Sequence, residues 1–472
     1  MNSLTSQQRK LVYLGGILLL LIPIIYFGLP SGGKKTADGQ TQSSGGRLAQ
    51  LRQQYDLGES NLGDVDPSSV TMNLVLLGLR GIAVNQLWIQ MDAAKDKKDW
   101  TSMLEATQSI VKLQPHFEKV WDFNGWNLAW NTSVEWDAVP DRYYWVKEGG
   151  KFMLQGVGRN EKSTELRFRA ATIYQKKIGI ADESIYFRKY FRVDPDTERW
   201  KNGPDTDFNT GPEGPYQAEG KDNYLVASDW YQAAVDNEQR WKIPLKQGTL
   251  DRTAFHSLPA RCLFDYAQGL QKDGQFGEIT REAWANALDS WINKFGREEL
   301  FSVFGANAIP VKFVLEANEE EIAAMASTPE QEAMIRNAID SFQKIVNYRY
   351  WRTRGMAEAE PETAQAHREF FEAGEAYKQQ KWRDALPLVE SAMKGFESML
   401  ARYPDLRIED NTIEEAMLAV LMWNNIYKLE ILGEGESLPQ EFPLRTLWQE
   451  NQGRMPEIER EFRLRYLTQA GQ

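Results

Sequence analysis

A single cysteine, Cys262, and only three histidines, His116, His256 and His367, stand in a chain of 472 residues. One cysteine excludes an intramolecular disulfide and any cysteine-rich metal centre. Each histidine stands alone, with no histidine or cysteine at ligand spacing, so the commonest general base and metal ligand is scarce and isolated. His116 follows Pro115 and reads as a loop or capping residue. Walker loops, dinucleotide fingerprints, nucleophile elbows and His-Glu-x-x-His helices are all missing, which argues against the large enzyme classes. A carboxylate-based hydrolase of the cell envelope remains the enzymatic alternative, because 67 Asp and Glu offer no spacing that singles out a pair. No catalytic residue, metal ligand or cofactor is assigned.

Positive charge is also short, with 55 Lys and Arg against those 67 acids and a net charge of −12. That balance repels phosphates and excludes nucleic acid as a partner, whereas a basic protein or peptide segment would be attracted. The stretch Asp205-Thr206-Asp207-Phe208-Asn209-Thr210-Gly211 alternates oxygen ligands like the start of a calcium loop. Its glycine falls one place late and Tyr216 stands where a bidentate Glu is needed, so it reads as a polar turn.

Long apolar runs are absent except for one, from Leu11 to Leu29, with Arg9 and Lys10 before it and Lys34 and Lys35 after. It is long enough to cross a bilayer as a helix. The following Pro30-Ser31-Gly32-Gly33 offers no small-residue cleavage pattern, so an uncleaved anchor is favoured over a signal peptide. The expectation is a tail over 1–10, a transmembrane helix over 11–29 and a polar linker over 30–67, with a short helix at 48–66. Charges flanking the span nearly balance. The ten-residue tail before a single span places the body on the extracytoplasmic side of the inner membrane.

Aromatics are plentiful, 16 Trp, 18 Tyr and 21 Phe, which implies an ordered, well-packed body. Its periodicity is helical. Trp284, Leu288, Trp291 and Ile292 share one helical face, with Thr280 as the expected cap, and Thr328-Pro329 opens a helix expected to run toward Trp351. Turn residues crowd between 182 and 222, marking a loop-rich insertion in which a small hairpin is possible. The body therefore divides into helical repeats over 68–181, the insertion over 182–222, a middle helical region over 223–360 and a C-terminal part over 361–472. Trp121, Phe123, Trp126, Trp130 and Trp136 are expected to stack between helices, a ligand-stacking groove being the alternative.

Two segments suggest what kind of helical body this is. Lys98-Asp99-Trp100-Thr101-Ser102-Met103-Leu104-Glu105-Ala106, closing at Pro115, resembles the second helix of a tetratricopeptide repeat. Lys381-Trp382-Arg383-Asp384-Ala385-Leu386, after Phe371-Glu372-Ala373-Gly374-Glu375-Ala376-Tyr377, resembles it more closely, with Ala385 at the small position where paired helices cross. As a whole the chain is similar to membrane-anchored bacterial proteins built from such repeats. The resemblance implies an all-α fold, a TPR-like array of stacked helical hairpins (an α-solenoid), whose concave face binds a protein or peptide without a cofactor. On that geometry Gln86, Gln90, Asn124 and Asn127 would face the partner. The expected role is an adaptor or scaffold for protein-protein interaction; a structural subunit of a membrane complex is the other non-enzymatic alternative.

Overall fold

The computed structural model describes residues 80–467 apart from 218, 247, 305–308, 409 and 433–436, together with short stretches between 10 and 43. The expected anchor at 11–29 lies largely outside the described residues, and the helix at 48–66 and the cap at Ser68-Ser69 lie wholly outside them. Among the described residues, no helix is long and apolar enough to cross a membrane. Within the stretch expected as linker, β1 (Gly33–Lys35) pairs antiparallel with β2 (Thr41–Ser43). The body is mostly helical, as the apolar spacing predicts, and divides into two units: residues 1–128 with 152–161, and residues 129–151 with 162–472.

In the first unit, α1 (Arg80–Asp96) is followed by α2 (Trp100–Leu113) and α3 (Glu118–Trp126). The carboxylate of Asp99 accepts from the amide of Ser102 at 3.1 Å, capping α2 so that the helix opens at the tryptophan of the first repeat-like segment. The last turns of α4 (Val139–Arg159) complete this core. There the Trp121 ring packs 4.7 Å from Phe152 and its indole N–H donates to the Pro115 carbonyl. Gly156 permits that approach, because a Cβ there would lie 2.7 Å from the Trp121 side chain.

The second unit holds the start of α4, then α5 (Thr164–Thr172), capped by Ser163 and prolonged by a widened turn over Ile173–Ile178. The expected loop-rich insertion is more structured than its composition implies. It contains α6 (Ser184–Arg192), the short α7 (Thr197–Trp200), and a minimal hairpin of β3 (Thr210–Gly211) with β4 (Gly214–Pro215). Phe208 is fully buried there, stacked 5.0 Å from Tyr174, whose hydroxyl donates to the Phe208 carbonyl.

Then come α8 (Asn223–Trp241), α9 (Arg252–Lys272) and α10 (Glu278–Asp289). Thr280 does not cap α10; it lies inside the first turn and donates to the Gln275 carbonyl. An antiparallel pair not expected from the sequence, β5 (Leu300–Phe304) and β6 (Ile309–Phe313), aligns Leu300 with Phe313. After α11 (Glu319–Met325), Thr328 caps α12 (Pro329–Ile345) as the Thr-Pro pair predicts. The helix stops short of Trp351, because Asn347 takes a left-handed conformation (φ 53°) and starts α13 (Tyr348–Glu358).

The chain finishes with α14 (Pro361–Lys378), α15 (Trp382–Arg402), α16 (Asp410–Glu430), α17 (Arg445–Glu450) and α18 (Met455–Phe462). Successive helices pack on each other: α8 on α9, α14 on α15, and α15 on α16. Helix α15 opens at Trp382 and Ala385 is fully buried, and α14 and α15 approach closely at Gly395, where a Cβ would meet that of Ala366 at 2.6 Å. The core of this unit is aromatic: Phe264 lies 5.2 Å from Trp351, and Trp291 stacks 5.2 Å from Tyr348 while donating to its carbonyl.

Candidate interaction surface

The groups that ordinarily do chemistry are already engaged. His116 donates from Nδ1 to the Arg159 carbonyl at 2.9 Å, the capping role expected of it. His256 is buried with Nε2 2.5 Å from Glu238 and Nδ1 2.6 Å from Glu298. Burial opposes its charge, yet the two carboxylates hold its pKa above the ordinary value. His367 repeats the arrangement, with Nδ1 3.0 Å from Glu415 and Nε2 2.9 Å from Glu358, the latter an ionic contact off the hydrogen-bond direction. Burial again resists, but Glu358 and Glu415 lift this imidazole to about 10. For Glu358 burial works upward, and His367 with Arg354 draws it down to about 2. Both imidazoles are thus clasped between carboxylates that favour their charged form, a structural engagement of both ring nitrogens. Burial, then Asp265, pushes the Cys262 thiol well up, away from its reactive thiolate form.

The insertion is held by a buried ionic cluster. Lys147 reaches Asp194 at 2.7 Å and Asp205 at 3.0 Å, and Lys151 reaches Asp205 at 2.7 Å. The start of the calcium-like stretch therefore has its cation supplied by two lysines, and no acid or histidine cluster able to hold a metal occurs among the described residues. Arg188 ties the other end, pairing with Asp222 and Asp273, each at 3.1 Å.

The residues expected at a partner face differ in exposure. Gln86 and Gln90 are exposed on α1. Asn124 is buried, donating to the Val120 carbonyl and accepting from Thr107, and Asn127 is buried and donates to the Phe123 carbonyl. Their amides serve the helix interior, as short polar side chains do when turned toward the preceding backbone turn. Part of the expected stacking between helices is present, with Trp121 against Phe152 of α4 and Phe123 meeting Trp88 of α1 edge-on at 5.6 Å. Trp121 is core, whereas Phe123, Trp126 and Trp136 stand more than a third exposed.

One exposed group in the second unit is organised. Val134, Trp136 and Tyr144 are 53%, 37% and 50% exposed. Trp145 lies behind them, stacked 6.0 Å from Trp136 at 27° and met edge-on by Tyr144 at 5.5 Å. The backbone reaches this shape because a single 3-10 turn over Ser133–Glu135 opens into an extended Trp136 before α4 begins. Arg142 fixes the ledge, donating to the Trp136 carbonyl at 2.6 Å and to Glu183 at 2.8 Å. Glu183 directly precedes α6, whose Ile185 and Tyr186 are also exposed. Exposed Asp137 and Asp141 follow Trp136 in the chain. Tyr144, Trp145 and Arg142 were not anticipated, although the signal existed: Tyr143-Tyr144-Trp145 places three rings in succession, and one helical stripe cannot bury all three. Tyr143 is the one that goes inside.

Comparison with known proteins adds no identity: no protein-family model matches the chain, and no curated protein matches it.

Proposed function

We propose that this protein is a membrane-tethered scaffold whose stacked helical hairpins form a TPR-like array and present the Trp136-Tyr144-Trp145 ledge to a basic segment of another protein. The observation that carries this reading is the ledge itself: large rings kept in water at the cost of apolar exposure, held by a dedicated arginine. Contiguous exposed aromatics mark interaction sites, and Trp and Tyr are enriched among residues that dominate binding energy. Exposed Asp137, next to Trp136 in the chain, suits a Lys or Arg side chain, which would gain both a cation-π contact and a carboxylate. The engagement of the described histidines and of the thiol in internal contacts supports a binding role over catalysis. The Leu11–Leu29 segment would tether the body at the inner membrane, on its extracytoplasmic face.

The test is titration of the purified full chain with an Arg-rich peptide and with an acidic peptide of equal length, followed by tryptophan fluorescence. Saturable binding of the basic peptide alone, weakening with salt and lost in Trp136→Ala/Tyr144→Ala, is expected. Equal response to both peptides, or unchanged binding by the double variant, would overturn the assignment.

A further inference from the structure

A cleft of about 330 Å³ opens near the C-terminal end of the second unit, lined by Asn424 of α16, by Leu438, Pro439 and Phe442, and by Trp448 and Gln449 of α17. Gln440, Gln452 and Arg445 complete its wall. Its size lies at the small end of pockets that enclose small molecules, which run to ~300–1,000 Å³.

Two features set it apart from a surface dent. Asn424 is 7% exposed and its carbonyl oxygen Oδ1 accepts no hydrogen bond, an unmet demand that a buried amide tolerates only at a cost. Trp448 is half-buried on α17 and lines the cleft beside exposed Gln449. Phe442, by contrast, is already stacked 5.1 Å from Trp423 and serves as a fixed wall.

The chemistry of the wall selects the ligand. Four primary amides, Asn424, Gln440, Gln449 and Gln452, each supply a donor and an acceptor, which matches hydroxyl groups, since those also do both. Arg445, the one charged group of the wall, is paired with Glu441, which offsets its charge. A flat indole beside proline and leucine fits a ligand with one apolar face. A pyranose has such a face on its C–H side and hydroxyls around its edge. We propose that this cleft is a saccharide-binding site for a neutral mono- or disaccharide unit, with Trp448 stacking on the ring and the wall amides, among them exposed Gln440 and Gln449, meeting its hydroxyls.

The test is calorimetric titration of the full-length protein with cellobiose and with N,N′-diacetylchitobiose, alongside a decaproline peptide. Saturable binding of at least one disaccharide is expected, weakened about tenfold or more in Trp448→Ala and retained in part in Trp448→Phe, about 1.4 kcal/mol for each factor of ten. Circular dichroism of both variants checks folding, and a Trp448→Ala protein that misfolds leaves Gln449→Ala, an exposed site, as the second probe. Absence of binding by both disaccharides would overturn the proposal. So would saturable binding of decaproline alone, which would make the cleft a peptide site.

Discussion

The insertion and the ledge beside it are built on opposite principles. In the insertion the charges are inside: Lys147, Asp194 and Asp205 are nearly fully buried and paired at 2.7 to 3.0 Å. In the ledge the apolar rings are outside, Trp136 and Tyr144 standing in water with an arginine devoted to holding them. Buried ion pairs rarely add net stability, because desolvation consumes most of the Coulomb gain, but they fix one arrangement, since any other leaves a charge unpaired. Exposed rings contribute little to folding. The difference teaches where the molecule is constrained and where it is available: the polar interior sets the geometry, and the apolar exterior carries the capacity to bind.

Breaking the buried side should have the largest effect. Lys147→Ala leaves Asp194 uncompensated and Asp205 with Lys151 alone, and should cost about 3–5 kcal/mol in denaturant unfolding. A smaller loss follows from crowding the same region. A Cβ at Gly150 would lie 2.2 Å from the Phe208 ring, so Gly150→Ala should destabilise by about 1–3 kcal/mol, measured in the same way.

A pH series extends the comparison to another buried ionic arrangement, Glu358-His367-Glu415. The folded pKa of His367, about 10, lies above its ordinary 6.5, so its contribution is complete below 6.5 and is lost as pH rises through about 10. Glu358, drawn down to about 2 from 4.5, contributes above 4.5 and loses that contribution as pH falls through about 2. Thermal melting should therefore show stability from this pair greatest near pH 4.5 to 6.5 and declining toward pH 10, and His367→Gln should remove the alkaline decline. The smallest effect belongs to the ledge: Trp136→Ala should cost only about 1 kcal/mol, the partly exposed ring losing its stack on Trp145, while abolishing binding of the basic peptide. A large loss of stability there would make Trp136 a core residue and collapse the contrast.

Local signals in the sequence carried the helices. The tryptophans that open α2 and α15 and Thr328 before Pro329 act through neighbours within one turn, which is why spacing reveals them. The β5-β6 pair was also written locally, in Val311 and Phe313 buried on either side of exposed Lys312, a period of two that a helical expectation overlooked. The ionic clasps were not legible. Glu238 and Glu298 lie 18 and 42 positions from His256, and Glu415 lies 48 from His367, so only the packed helices bring them together. The binding residues were half visible. An aromatic concentration before α4 was apparent, but which rings face inward depends on the 3-10 turn before Trp136 and on Arg142 bridging to Glu183, 41 positions away.

The central claim is that the ledge is an occupied interface, and site-specific photocrosslinking in intact membranes tests it most directly. A benzophenone side chain at Tyr144 should give one discrete adduct with another protein, and the same probe at exposed Glu372 should give none. No adduct at Tyr144, or the same adducts from both positions, would contradict the account.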